Sequence, residues 1–392
     1  MIAASESMPP EDVSLSLEQQ VIRLQALLEA SRLVHSTIEL PRVLQRAARV
    51  AVLELELEGA LFTEPRVTFG KVPSQGVLSG AGAHRFPLLA RNGASMSELV
   101  VFPRSGRELS LYETDFLEGL VLQTAIAAEN AANHQRHLEY ARVAQDLDAA
   151  RAIQQSLLPQ AMPRIDGYSL AARSSACYQV GGDYLDVVTE PDGSYLMVVA
   201  DVAGKGLASA LVCTAFRSAF RALARESLSL EELASRLSQQ HWEEGSEARR
   251  RYVTAIFLRF EAGSGQLEFV NAGHNPALLL PPDGKGLRTI DASGTPLGLL
   301  PGVRYTTERV SFAPGSRLLL YTDGLTEVFR EDEEFGIERL GEAFRSAGDR
   351  SGESTLASLW KTLDDFTGYA PQQDDMTAIA LHRLISASGE KA

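Results

Sequence analysis

The chain has 392 residues, 45% of them apolar, and a formal net charge of −14, which excludes a general nucleic-acid surface built on clustered Lys and Arg and leaves room for cations or a protein partner. Its length suggests about two or three domains. Cys177 and Cys213 lie in neither a CxxC pair nor a zinc spacing, which excludes a disulfide framework and a structural zinc and reads them as small core residues.

The opening "MIAASESMPPEDV" carries acidic residues where a signal peptide needs basic ones and lacks an apolar core. The apolar runs around Val198 and Leu211 are cut by Asp201 and Arg217 well short of a membrane span. A cytoplasmic protein with no membrane segment is therefore expected, with residues 1–14 disordered. Leu17, Val21, Leu24 and Leu28 share one helical face over residues 15–35, and "STIELPRVLQRAARVAVLELE" predicts a second helix entered near Pro41. Short strand-like pieces, "RVTFG" and "HRFPLLA", follow in a Gly-rich stretch over 59–97, and "SELVVFPRSGREL" reads as a strand ending in a turn. Residues 110–159 then read as one long helix stopped at Pro159.

That order of helix, short strands, strand and "SLYETDFLEGLVLQTAIAAEN" resembles a GAF domain, a small α+β module, over residues 15–130. The resemblance implies a sensory or a dimerisation role. Within the long helix, Tyr140, Val143, Leu147, Ala150, Gln154 and Leu157 alternate spacings of three and four, the pattern of a coiled-coil seam. Residues 131–160 are thus expected to be a helical linker that pairs two copies of the chain as a homodimer. An amphipathic helix packed on its own domain is the competing reading.

From residue 161 the pattern changes to strands and tight turns, continuing to 385, with a disordered tail at 386–392. "YLDVVTEPDGSYLMVVAD" predicts two strands joined by a Pro-Asp-Gly turn. "KGLASALVCTAFRSAFRALARES" and "SLEELASRLSQQHWEE" read as consecutive helices, and further strands are expected at "RYVTAIFLRFEA", "QLEFVNAG", "PALLLPP", "RYTTERVSFA", "SRLLLYT" and "DMTAIALHRL". Helices at "GIERLGEAFRSAG" and "STLASLWKTLDDFTG" separate the last two strands. Many hairpin strands with grouped helices indicate an α+β fold, two packed sheets with helices outside.

Four carboxylates in this half share one design: Asp183 in "VGGDYLD", Asp201 in "VVADVAGKG", Asp323 in "LLLYTDGLTE" and Asp374 in "QQDDMT" each sit where an apolar strand meets a loop. One such Asp beside Gly is ordinarily a turn. Four brought together would repel by several kcal/mol at an effective dielectric of about 20, and would need a cation or raised pKa values. Oxygen ligands of this kind suit Mg²⁺ or Mn²⁺ rather than zinc.

The ordered set "VGGDYLD", "ADVAGKGLASAL", "FVNAGHNP", "LLLYTDGLTE" and "QQDDMTAIAL", preceded by "ARAIQQSLLPQAMP", resembles the bacterial SpoIIE/RsbU branch of the PPM (PP2C-type) serine/threonine phosphatases over residues 150–385. The resemblance implies an αββα sandwich holding two Mn²⁺ or Mg²⁺ ions. It further implies that Asp201 bridges both ions, that the Val202 carbonyl binds one, that Asp183 serves the second metal site, and that Asp323 and Asp374 serve the first. Asp201 and Asp374 are the implied catalytic residues, with attack on phosphorus by a water between the metals. No GxSxG elbow, Cys-x5-Arg loop or complete Walker motif competes with this reading.

Val202 and Ala203 follow Asp201 where the wider family carries a His, so the resemblance names no leaving-group acid. Lys205 is either a phosphate contact or a solvated lysine, and His274 is expected to shape its loop. Asp375 is expected to support or cap the strand, and Asp186 to face away from Asp183 on an alternating strand. The implied protein is a metal-dependent phosphatase acting on a phosphorylated protein, typically a STAS-type anti-sigma-factor antagonist in partner switching, under control of the N-terminal module. A catalytically silent phosphoprotein scaffold and a small-molecule phosphate-ester hydrolase are the alternatives.

Overall fold

In the computed structural model, which describes residues 10–73, 82–104, 107–348 and 351–385, Pro41 occupies the first turn of a helix, where its missing N–H costs nothing. That helix, α2 (Leu40–Glu54), follows α1 (Pro10–Val34), so residues 10–14 are already helical. The first nine residues and the tail at 386–392, both expected to be disordered, lie outside the described residues. The chain divides into two units, Met1–Val143 and Ala144–Ala392.

In the first unit β1 (Gly59–Phe62), β2 (Val67–Gly70), β3 (His84–Leu89) and β4 (Ser95–Phe102) form an antiparallel sheet in the order β2-β1-β4-β3. The stripe Val43, Leu44, Ala47, Ala48 and Ala51 of α2 is fully buried with Ala60 and Phe62 of β1 and Leu99 and Val101 of β4. Phe116, Leu117 and Leu120, from the start of the long helix α3 (Leu111–Leu157), join the same core. β1 is buried on both faces, so its "GALF" shows no alternation by which a sequence reading would find it.

The second unit contains β5 (Tyr168–Ser175), β6 (Tyr184–Thr189), β7 (Tyr195–Val202), α4 (Leu207–Leu223), α5 (Leu230–Glu243), α6 (Ser246–Arg249), β8 (Val253–Phe260), β9 (Gln266–Ala272), β10 (Ala277–Leu280), β11 (Arg288–Ile290), β12 (Glu308–Ser311) and β13 (Arg317–Tyr321). A small hairpin of β14 (Phe329–Arg330) and β15 (Glu333–Glu334), then α7 (Gly336–Ser346), α8 (Gly352–Thr367) and β16 (Met376–Arg383), complete it. Two five-stranded antiparallel sheets result, in the orders β11-β10-β13-β16-β5 and β12-β9-β8-β7-β6.

Side-chain parity separates three apolar layers. Leu185, Met197, Val199, Ile256 and Leu267 of one sheet meet Leu279, Leu318, Leu320, Ile379 and Leu381 of the other between the sheets. The opposite parity of the first sheet, including Leu196, Val198 and Phe257, packs under α4 and α5. That of the second, including Leu319, Ala378 and Ala380, packs under α7 and α8. The result is the expected αββα sandwich, in which each fully buried Leu or Phe contributes about 1.5–3 kcal/mol. β16, expected as a strand, is buried at the first seven of its eight residues. It is an interior strand of its sheet covered on both faces, and the side chains of Thr377 and His382 find hydrogen-bond partners in Ser174 and Thr355.

Among the described residues no helix is long and apolar enough to cross a membrane.

Candidate active site

Antiparallel pairing brings the end of β7 beside the start of β6: Tyr184 lies opposite Ala200, so Asp183 and Asp201 fall next to each other one step further on. Both continue the parity of Leu185 and Val199, the face that looks between the sheets. From the facing sheet, the end of β13 and the start of β16 reach the same edge, with Tyr321 opposite Ala378. Thr322 ties the two sheets together there. Its Oγ1 donates to Asp183 Oδ2 at 2.8 Å and accepts from Thr377 N at 3.0 Å. Asp323 follows Thr322 at the head of a single 3₁₀ turn, Asp323–Leu325.

The carboxylates perturb one another as converging charges should. Burial pushes the Asp201 carboxyl up to about 7, with Asp323, Asp374 and Asp375 adding to the effect. Burial and then the Asp201 charge raise Asp183 well above the usual carboxylate range, against the hydrogen bonds from Thr377 and Thr322. Asp323 is pushed up to about 6 by burial, by Glu327 and by Asp374. Glu327 is thus a further acidic neighbour of the cluster; the sequence reading passed over it, although it stands in the same "TDGLTE" motif.

The pair that opens "DDMT" divides its work. Asp374 accepts from Asp375 N at 2.8 Å through Oδ1, while its Oδ2 lies 2.7 Å from Lys205 Nζ. Lys205 also donates to the Gln373 carbonyl at 3.0 Å, and the Asp374 contact raises its pKa. Asp375 instead fastens the "VGGD" loop: Oδ1 accepts from Cys177 N at 2.8 Å and Oδ2 from Gly182 N at 2.7 Å. That contact explains the two glycines. A Cβ on Gly181 would sit 2.4 Å from Asp375 Oδ2, and one on Gly182 would sit 2.9 Å from the Val202 carbonyl oxygen and 3.3 Å from Asp201 Oδ1.

Two other residues singled out by sequence stand apart from the cluster. Asp186, fully buried on the opposite parity, accepts two hydrogen bonds from Arg221 of α4 at 2.6 and 2.9 Å, one from the Tyr184 hydroxyl and one from Val187 N. It fastens α4 to β6. His274 is buried, with Nδ1 2.7 Å from Thr254 Oγ1 and its backbone N donating to Asn271 Oδ1 at 2.8 Å, which closes the "NAGHNP" turn. Burial pushes its imidazole down to about 4, so it is neutral near pH 7.

Among the described residues no three His, Cys, Asp or Glu side chains enclose a ready-made cation cage. The donor set nevertheless fits hard divalent cations: all-oxygen ligands, carboxyls at Asp183, Asp201 and Asp323 each raised by burial and by acidic neighbours, and the Val202 carbonyl approached closely by Gly182.

Residues 191–384 match the family described as Stage II sporulation protein E (SpoIIE). Protein IcfG of Synechocystis is 26% identical over 264 residues, a match covering 61% of this chain and 41% of that protein. The phosphoserine phosphatase RsbP of Bacillus subtilis is 28% identical over 184 residues, covering 46% and 45% of the two chains. The phosphoserine phosphatase RsbU of the same organism is 24% identical over 243 residues, covering 61% and 70%. The chain therefore spans less than half the length of two of these three relatives. Among solved structures, the SiaA-PP2C domain of Pseudomonas aeruginosa superimposes with a TM-score of 0.56 at 23% identity, covering 62% of this chain and 98% of that one. The C-terminal unit has the PP2C fold.

Proposed function

We propose, from a C-terminal unit of PP2C fold whose residues 191–384 match the SpoIIE family, that the chain is a metal-dependent protein serine/threonine phosphatase. The observation that supports this reading is the strand pairing that sets Asp183 beside Asp201, with Thr322, the residue before Asp323, reaching from the facing sheet to Asp183 Oδ2 at 2.8 Å. The names of two relatives, both phosphoserine phosphatases, support the substrate class.

Two divalent cations, Mn²⁺ or Mg²⁺, held by Asp183, Asp201, the Val202 carbonyl, Asp323 and Asp374, would supply the charge that activates a water for in-line attack on phosphorus and offsets the phosphate oxygens. The protein's own part is to fix the carboxylates. Thr322 aims Asp183 through its hydroxyl. Asp375 locks the loop before Asp183 by taking the Cys177 and Gly182 amides. Lys205 places a positive charge beside Asp374, within the same mouth that receives the phosphate. Hydrolysis consumes one water and yields the free hydroxyl amino acid and inorganic phosphate, with no covalent enzyme intermediate.

The substrate in this reading is a phosphorylated STAS-type anti-sigma-factor antagonist of a partner-switching pathway, with the first unit as the sensory or dimerising module. Tyr140 and Val143 of the seam on α3 are solvent-exposed and would form part of the contact between two copies. Gln154, expected in the same seam, turns to Gly181 of its own unit instead.

The test is phosphate release from p-nitrophenyl phosphate with and without Mn²⁺ by the wild type, Asp201→Asn and Asp374→Asn. Metal-dependent turnover that drops more than a hundredfold in both variants is expected, about 2.7 kcal/mol or more of lost transition-state stabilisation. Absence of metal-dependent turnover in the wild type, by the full chain and by residues 144–392, overturns the reading.

A further inference from the structure

The carboxamide of Gln154, near the end of α3, grips the backbone of Gly181 on both sides: Nε2 donates to the Gly181 carbonyl at 2.8 Å, and Oε1 accepts from Gly181 N at 3.1 Å. One side chain thus supplies the paired bonds that a neighbouring strand would offer. The next amide, Gly182 N, goes to Asp375 at 2.7 Å, and the Asp183 carbonyl takes the Cys213 thiol of α4 at 3.5 Å. The loop that presents Asp183 is therefore pinned at three successive residues. Its outermost pin is Gln154.

The base of that pin is itself rigid. Arg217 Nε of α4 donates to the Leu157 carbonyl at 2.8 Å, closing the end of α3, and Leu158 packs against the core beneath α4 and α5. A cavity of about 60 Å³ lies beside the grip, lined by Gln154, Leu158, Ser174, Gly181, Asp183 and Asp375 among others. A loop freed from Gln154 has that space to move into. A displacement there reaches Asp183 directly, because Gly181 is only two residues away in the loop that leads into β6.

We propose that Gln154 is a positioning residue for Asp183, holding its loop in the register in which the carboxylate meets a divalent cation; the inference rests on the phosphatase reading above. Hydrogen bonds to groups that support a metal ligand characteristically govern metal affinity.

The experiment is Mn²⁺ titration calorimetry on the full chain, comparing the wild type with Gln154→Ala, Gln154→Met and Gln155→Ala. Methionine keeps the length and helix preference of glutamine without the amide, and Gln155 is an exposed neighbour. The expected result is an affinity about tenfold weaker in both Gln154 variants and unchanged in Gln155→Ala. Turnover of p-nitrophenyl phosphate should recover in the Gln154 variants at saturating Mn²⁺, separating metal affinity from the chemical step. Gln154 variants that bind Mn²⁺ like the wild type, while only melting earlier, overturn the inference and leave the phosphatase reading intact. A wild type that binds no Mn²⁺ overturns both.

Discussion

Removing one of the clustered charges should stabilise the protein in the absence of metal. In Asp201→Asn a neutral side chain of the same size replaces a carboxyl whose pKa burial and the acids around it push up to about 7, against an ordinary 3.8. The folded state therefore holds a proton that the unfolded chain releases. The stability this proton contributes is complete below pH 3.8 and is lost as pH rises through about 7. The gap of about 3 units corresponds to at most about 4 kcal/mol at pH 8, and sharing of the penalty with Asp183 reduces it, so a gain of about 2–4 kcal/mol is expected. For a unit of this size each kcal/mol moves the melting temperature by about 2–4 °C, which predicts a rise of about 4–16 °C by calorimetry in EDTA at pH 8. The gap should close as pH falls toward 4. With Mn²⁺ present the wild type should regain about 2.7 kcal/mol at a hundredfold excess over the dissociation constant, and the variant should not. A variant no more stable than the wild type at pH 8 in EDTA, or a gap that does not change with pH, would refute convergence of the carboxylates.

Arg221→Ala removes both guanidinium bonds from buried Asp186 and leaves it only the Tyr184 hydroxyl and the Val187 amide. Since Arg221 is itself 42% exposed, a loss of about 2–3 kcal/mol in urea unfolding is expected, below the usual range for breaking a fully buried pair; a loss under about 0.5 kcal/mol, typical of a surface ion pair, would show that the tie carries little. Tyr140 and Val143 are 71% and 57% exposed on α3, so the full chain should sediment as a dimer and the double variant Tyr140→Asp, Val143→Asp as a monomer. A wild-type monomer at micromolar concentration would remove the role assigned to α3.

Much of the architecture was legible because it depends on short-range patterns. Pro41 and Pro159 marked helix boundaries through a missing N–H, the Pro-Asp-Gly turn joined β6 to β7, and the period of two in "YLDVVT" separated Asp183 from Asp186 onto opposite faces. Short-range patterns report residue type and not burial: Thr377 and His382 are polar residues of the buried β16 whose side-chain partners, Ser174 and Thr355, lie far along the chain.

For the site, the sequence by itself determined the chemistry available: carboxylates at four strand ends, with glycines beside them and no rival catalytic motif. Only the tertiary structure decided how they are used. Which of two adjacent acids meets Lys205 and which takes the loop amides, that Thr322 reaches Asp183 across 139 residues, and that Gln154 turns inward to Gly181 all depend on how one sheet registers against the other and on where α3 and α4 are packed. Local periodicity sets the face a side chain takes on its own strand, whereas its partner is chosen by packing between elements distant in sequence, and no local pattern encodes that register.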